Sequence, residues 1–213
     1  MNEFNKLIDS FINEFGTKED DLLKKLTRET AITQIHPRML SGKYQGHLLN
    51  ILIKITNSKN ILEIGTYAGY ATICMARALP SDGKIITIEK NDEIEWLSKK
   101  YFNLSGLEHK IEAFTADALD VIPKLNSEFD IIFIDGDKRE YLEYYKLAFP
   151  KLKKGGIIIA DNVLWNNKIF SEPTSNDYMT KGIIKFNEYI RKNPNIEKII
   201  IPVRDGLMLI IKL

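Results

Sequence analysis

Four side chains in two short segments have the types and spacing for metal-assisted chemistry. Asp135 follows the mostly apolar run Phe129-Asp130-Ile131-Ile132-Phe133-Ile134 and opens Asp135-Gly136-Asp137-Lys138, while Asp161 and Asn162 follow Gly155-Gly156-Ile157-Ile158-Ile159-Ala160. If the two runs are neighbouring parallel strands, ~4.8 Å apart, both carboxylates and the amide converge at one edge of a sheet. Hard oxygen donors, two charged and one neutral, suit Mg²⁺ or a similar divalent cation, which keeps waters that a substrate can displace. Lys138 sits where a helix should begin, a poor match to the helix dipole. Aimed at a cation, it would shed its proton more readily, an effect that Asp135 and Asp137 oppose. Each residue also has an ordinary use: Asp and Asn after strands make turns or cap helices, and Lys138 could pair at the surface with Glu140 or Asp137.

A second constellation lies earlier, in Ile61-Leu62-Glu63-Ile64-Gly65-Thr66-Tyr67-Ala68-Gly69. Its glycines are spaced G-x-x-x-G, unlike the G-x-G-x-x-G of dinucleotide sites, where a helix N-terminus meets a pyrophosphate. Glu63 would repel a pyrophosphate. It could instead receive an ammonium group, directly or through water. Glu89, 26 residues further on, stands about where an acidic side chain grips ribose hydroxyls. Adenosine joined to a methionine sulfonium is S-adenosylmethionine. The plainer alternative is a tight strand-to-helix turn at Gly65 and Gly69 and a solvated strand end at Glu89.

The elements that must position these groups follow from periodicity. Residues 1–57 carry apolar positions at helical spacing: Leu7, Ile8, Phe11, Ile12 and Phe15, then Leu22, Leu23 and Leu26. Gly16 ends the first helix, Thr17 with Asp20 opens the second in a capping-box-like arrangement, and a third runs through His47, Leu48, Ile51, Leu52 and Ile55. His36-Pro37 is a helix break before Met39. From Asn60 onward, strands are expected at 61–64, 84–88, 110–114, 129–134, 156–160, 198–203 and 207–211. Helical stretches separate the first five, such as Ile94, Leu97, Tyr101 and Leu104 closed by Gly106, which implies a parallel sheet with helices on both faces. The last two runs flank Arg204-Asp205-Gly206, a hairpin-type turn, so the sheet should end in an antiparallel pair. By analogy that shape resembles the class I methyltransferase fold and differs in its hairpin from the all-parallel dinucleotide fold, and a fold alone does not fix a function.

The chain has 213 residues, 44% hydrophobic and 28% charged, and no repeat, which suits one globular domain over 1–213, with 1–57 as a helical cover and 58–213 as the core. Thirty Lys and Arg against 29 Asp and Glu leave +1, which disfavours a duplex nucleic-acid or polybasic membrane partner. Cys74 is the lone cysteine, excluding an intrachain disulfide and zinc clusters. Apolar runs such as 131–134 and 207–211 fall far short of the ~20 residues of a membrane span. The start, with Glu3 and Asp9, lacks a signal-peptide pattern, so a cytoplasmic location is expected.

Together these motifs resemble the cation-dependent O-methyltransferases, the group that contains caffeoyl-CoA O-methyltransferase and, more distantly, catechol O-methyltransferase. The similarity spans roughly residues 30–213. It includes Met39-Leu40-Ser41 with Gln45-Gly46, the segment from Glu63 to Tyr70, Phe133 to Lys138, Asp161-Asn162-Val163-Leu164-Trp165, Phe186-Asn187 and Asp205-Gly206. The resemblance implies a seven-stranded sheet with extra N-terminal helices, S-adenosylmethionine, a divalent cation (Mg²⁺ first, Mn²⁺ or Ca²⁺ as substitutes), a small aromatic diol as acceptor, and a homodimer. Asp135, Asp161 and Asn162 would bind the metal, and Lys138 matches the catalytic lysine. Ser41, Glu63, Gly65 and Thr66 would line the cofactor site with Glu89, Ala118 and Asp137, and Tyr67 and Gly69 complete it. Met39, Trp165 and Asn166 fall to the acceptor. Phe170 and Tyr178 could wall an aromatic ring beside Trp165, and His36, His47 and His109 read as structural or surface groups. Ala71 departs from relatives that carry a serine there, and the adjacent Thr72 points elsewhere on a helix. The competing readings are a methyltransferase for RNA or a non-aromatic metabolite, and a non-catalytic cofactor-binding module. Against the first, no Asp/Asn-Pro-Pro-aromatic tetrapeptide occurs; against the second, the metal set is intact.

Overall fold

A computed structural model describes Leu7, residues 10–12 and residues 14–213. Residues 10–12, 14 and 15 are helical and Gly16 ends that turn, its amide donating to the Ile12 carbonyl. Ile8, read as part of this helix, and the start read through Glu3 and Asp9 lie outside the described residues. Helix α1 (Asp21–Thr33) is capped by Asp20, whose carboxylate accepts the Leu23 amide at 3.0 Å. Asp20 is thus the cap itself, where a capping box begun at Thr17 had been expected; an Asp side chain reaches the N3 amide without help. After a break and a single turn at Pro37–Met39 comes α2 (Gly42–Thr56).

Strands β1 (Asn60–Ile64), β2 (Lys84–Glu89), β3 (Ile111–Thr115), β4 (Phe129–Ile134), β5 (Leu152–Ala160), β6 (Ile196–Ile201) and β7 (Leu207–Lys212) form one sheet in the order β3-β2-β1-β4-β5-β7-β6. The first five are parallel and β7 is antiparallel to both β5 and β6, the class I methyltransferase arrangement. Between them run α3 (Tyr70–Ala78), α4 (Glu95–Ser105), α5 (Ala118–Val121), α6 (Tyr141–Ala148) and α7 (Tyr178–Lys192). Among the described residues no helix is long and apolar enough to cross a membrane.

Two strands differ from expectation by more than one residue, each for a local reason. The sixth strand, expected at 198–203, ends at Ile201, because Pro202 has no N–H to offer the ladder. The turn is therefore residues 202–206, with Arg204 in the left-handed region at φ 53°. The fifth begins at Leu152, not 156, through an irregular pairing in which Gly155 takes φ +76°. In α4 the buried face includes Phe102 and leaves Leu104 exposed.

Strand β4 is buried on both faces, which explains its nearly unbroken apolar run. Ile132 and Ile134 pack with Leu62, Ile64 and the α6–α7 side, where Tyr141 meets Phe186 edge-on at 5.6 Å between ring centroids. Ile131 and Phe133 pack with Ile61, Ile85 and residues of α2 and α3 such as Leu49 and Met75.

Strand alternation puts Glu63 on this second face, in register with Thr87 and Phe133. The carboxylate is wholly buried, and one oxygen accepts from the hydroxyls of Thr72 and Thr87. Oε1 has no protein partner. Burial, which outweighs the two hydroxyl bonds and is reinforced by Asp135 and Glu89, pushes the carboxyl from 4.5 up to about 8. The folded chain therefore binds a proton that the unfolded chain releases near 4.5. The associated stability is fully present below that pH and is lost as pH rises through about 8. Glu63→Gln should flatten the ligand-free protein's stability between pH 5 and 9 in urea melts; an unchanged slope would show that Glu63 is ionised throughout.

Candidate active site

A cavity of about 1180 Å³ opens at the carboxyl ends of β1, β2, β4 and β5, where strand order reverses and open α/β sheets bind ligands. Its size exceeds the ~300–1,000 Å³ of ordinary small-molecule pockets, leaving room for two ligands side by side. One half is built on the turn after β1. The Gly65 amide donates to the Ile88 carbonyl at 2.9 Å, and its φ of +102° brings the backbone against β4. A Cβ there would sit 2.5 Å from the Asp135 carbonyl oxygen, so no side chain fits. Tyr67, also left-handed at φ 49°, donates its amide to Glu89 Oε2 at 2.7 Å, and Asn91 donates to Oε1 at 2.9 Å. Glu89 is thus held at the cavity wall by backbone amides. Tyr67 Oη donates to the His36 carbonyl at 3.0 Å, tying the turn to the N-terminal segment.

The other half continues the β4–β5 ladder by one residue. The Asp135 amide donates to Ile64 O at 2.8 Å and the Asp161 amide to Ile134 O at 3.0 Å, so the two acids emerge from adjacent strands. Asp161 is only 3% exposed. Its Oδ1 accepts the Asn162 amide and its Oδ2 accepts Gln45 Nε2, both at 2.7 Å. Burial, then the charge of Asp135, pushes its carboxyl up to about 7. Lys138 opens a single turn, Lys138–Glu140, and is buried rather than paired at the surface. Its Nζ donates to Asp135 Oδ1 at 2.8 Å, Gly136 O at 3.1 Å and Tyr141 Oη at 2.7 Å. Asp137 pairs instead with Arg139, whose guanidinium holds its carboxyl below the usual range.

The cavity gathers nearly all the residues singled out by sequence. Ser41, Thr66 and Ala118 line it with Gly65, Tyr67 and Glu89; Asp135, Asp161, Asn162, Asp137 and Lys138 line it as well, and so do Met39, Trp165 and Asn166. Glu63 and Gly69 are not on its surface. Glu63 lies beneath it, and Gly69 serves the turn into α3, with φ +85° and the Phe102 ring 2.5 Å from where a Cβ would be. Thr72 points to Glu63, away from the cavity, whereas Ala71 lines it. Phe170 and Tyr178 are exposed and wall nothing; Tyr178 opens α7 behind the Asp177 cap. His36 reaches the cavity mouth as an exposed residue.

Four participants escaped the sequence reading as site residues: Gln45, Tyr141, Arg204 and Asp205. Gln45 had a visible signal, being a polar residue one and two turns before Leu49 and Ile53 on the buried stripe of α2. Asp205, read as a turn residue, accepts the Asn166 amide at 2.6 Å.

The donor set fits a hard cation: two carboxylates, one held high by burial and then by its neighbour's charge, and an amide oxygen. Among the described residues no group of three or more His, Cys, Asp or Glu side chains gathers as a metal site. Two acids and an asparagine are the whole set, with Lys138 sharing Asp135. The unpartnered Glu63 Oε1 beneath the other half is likewise an acceptor without a donor.

Comparison with known proteins places this geometry. Residues 13–213 match the family model described as O-methyltransferase. The chain is 35% identical to catechol O-methyltransferase of Niastella koreensis, over 94% of this chain and 91% of the relative. It is 36% identical to caffeoyl-CoA O-methyltransferase 2 of Petunia hybrida, over 90% and 84%. The O-methyltransferase TomG of Streptomyces achromogenes, solved in complex with S-adenosylmethionine, superposes with a TM-score of 0.90 at 28% identity, covering 100% of this chain and 99% of that one. The chain belongs to the O-methyltransferase family, and its enzyme class is S-adenosylmethionine-dependent O-methyl transfer.

Proposed function

We propose that this enzyme methylates one hydroxyl of a small catechol-like or caffeoyl-type diol, with a divalent cation at Asp135, Asp161 and Asn162. The observation that carries the reading is the meeting of those three oxygen donors and Lys138 with the Gly65–Glu89 wall in one cavity. Glu89 is the acceptor for ribose hydroxyls, and Glu63, buried beneath the cavity with an open Oε1, is the acid that would ionise to become the counter-charge when the methionine ammonium binds. A bound divalent cation, Mg²⁺ first and Mn²⁺ or Ca²⁺ in its place, lowers the pKa of an oxygen it touches and so favours a phenolate over the phenol, whose ordinary pKa is ~10.

The chain's own groups do the rest by position. All three N–H bonds of the Lys138 ammonium are taken by fixed acceptors, so it stands as an anchored positive charge toward which negative charge on the acceptor oxygen is drawn. Tyr141, its hydroxyl pushed well above the usual range by burial and by Asp135, remains a neutral partner for that ammonium. Trp165 and Met39 flank the acceptor end, and the Asn166 amide is held by Asp205. Bringing the two ligands into adjacent halves supplies the alignment that a displacement at carbon requires.

The reading extends to a homodimer, supported by the exposed Ile32, Ile35, Ile51 and Ile55 beside the cavity's helical cover. It includes a cytoplasmic location, in keeping with Cys74 as a free buried thiol, and no nucleic-acid or membrane partner, in keeping with the near-neutral charge.

Mass-resolved transfer from S-adenosylmethionine to a panel of catechols and caffeoyl compounds should yield methyl ethers that vanish in chelator and return with Mg²⁺. Turnover indifferent to chelator would remove the cation from the reading. Lys138→Ala should keep cofactor binding and lose about 10²–10⁴-fold in turnover, the range of a positioned acid–base or charge-stabilising group; undiminished turnover would dismiss the lysine.

A further inference from the structure

Asp161 is held by two neutral donors, the amide of the next residue and a side chain from a distant part of the chain. Gln45, wholly buried on α2, donates Nε2–H to Asp161 Oδ2 at 2.7 Å. On the far side of the same amide, Arg204 of the β6–β7 turn donates Nη1–H to Gln45 Oε1 at 3.2 Å. The guanidinium also donates to the carbonyl oxygen of Ser41, and its Nη2 reaches that of Arg38 at 3.5 Å. An arginine offers donors only, so the carbonyl end of Gln45 must face Arg204 and the NH₂ end must face Asp161. The orientation of an amide that could otherwise flip is set by its two neighbours. Asp135 has Lys138 as a charged partner, whereas both oxygens of Asp161 receive neutral N–H groups. Its charge is therefore directed by hydrogen bonds without being neutralised.

We infer that Gln45 is a positioning residue for the Asp161 carboxylate, that Arg204 orients Gln45, and that this relay tunes divalent-cation affinity from the far end of the chain. The inference rests on the cation reading above. Outer partners of a ligand typically change metal affinity 10–100-fold. An amide that also fixes the carboxylate's rotamer belongs to that class.

The test is Mn²⁺ titration, followed by the loss of the free-ion paramagnetic signal, on the full chain without acceptor, with thermal melting alongside. Gln45→Leu should weaken Mn²⁺ about 10–100-fold, and Arg204→Met by a smaller factor. The double variant should bind no worse than Gln45→Leu, since Arg204 acts only through Gln45. Wild type that takes up no Mn²⁺ overturns the cation reading and the relay with it. Wild type that binds, together with a folded Gln45→Leu that binds equally well, overturns the relay alone, and strictly additive losses overturn the link to Arg204. Should Gln45→Leu fail to fold, the exposed turn carries the test. Retention of affinity in Arg204→Lys with loss in Arg204→Met supports the relay, and equal affinities in those two overturn it.

Discussion

The close approach of two backbones at the centre of the sheet governs everything built above it. At Gly65 the chain leaves β1 with a φ that side chains avoid, and passes so near the Asp135 carbonyl that a single added carbon would collide with it. Because of that contact the turn that walls one half of the cavity is also the neighbour of the acid that floors the other. The two half-sites are one piece of covalent and hydrogen-bonded structure, and their separation is fixed by a strand spacing rather than by flexible side chains. The segment after Asn162 is added to this seam and tied to the last turn of the chain, the Val163 and Leu164 amides donating to the Gly206 and Asp205 carbonyls.

The distribution of charge follows from the same crowding. Parallel strands end with their side chains pointing into a shared space, and acids placed at successive ends repel one another there. The chain answers at each position differently. Glu63, two residues back from the sheet edge, is buried against Thr72 and Thr87 and kept protonated into the neutral range, Asp135 is paired with a buried ammonium, and Asp161 is surrounded by uncharged donors. Glu89, at the rim, is satisfied by backbone amides. One composition of acids thus yields four different electrostatic settings.

Much of this was legible in the residues because it depends on strand order and strand ends. Asp135, Asp161 and Asn162 follow apolar runs, and a parallel sheet brings the ends of neighbouring strands together whatever fills the helices. Lys138 announced itself by an unfavourable position relative to a helix dipole. What escaped depends on direction and on distant pairing. Glu63 reads as a cavity residue from its place in the motif, yet it stands inside β1, two residues short of the edge that opens the cavity, and lies beneath it. Phe170 and Tyr178 have the chemistry of an aromatic wall, but only the path of the chain through residues 165–178 shows that they face outward. Gln45 and Arg204 meet across most of the sequence, and no local period encodes that contact. The sixth strand slipped by two residues because a proline's missing donor was given less weight than the apolar pattern around it.

The sheet order has a consequence for biosynthesis. Strand β7 lies between β5 and β6, although it is the last of the seven to leave the ribosome. Until it emerges, β5 presents an unpaired edge and β6 has no neighbour, so the nascent chain can assemble its parallel half but cannot close the sheet. The turn that carries Arg204 and Asp205 becomes anchored only in that final step. The contacts that Arg204 and Asp205 make with Gln45 and Asn166 are therefore completed last, after translation of the strand that closes the ladder.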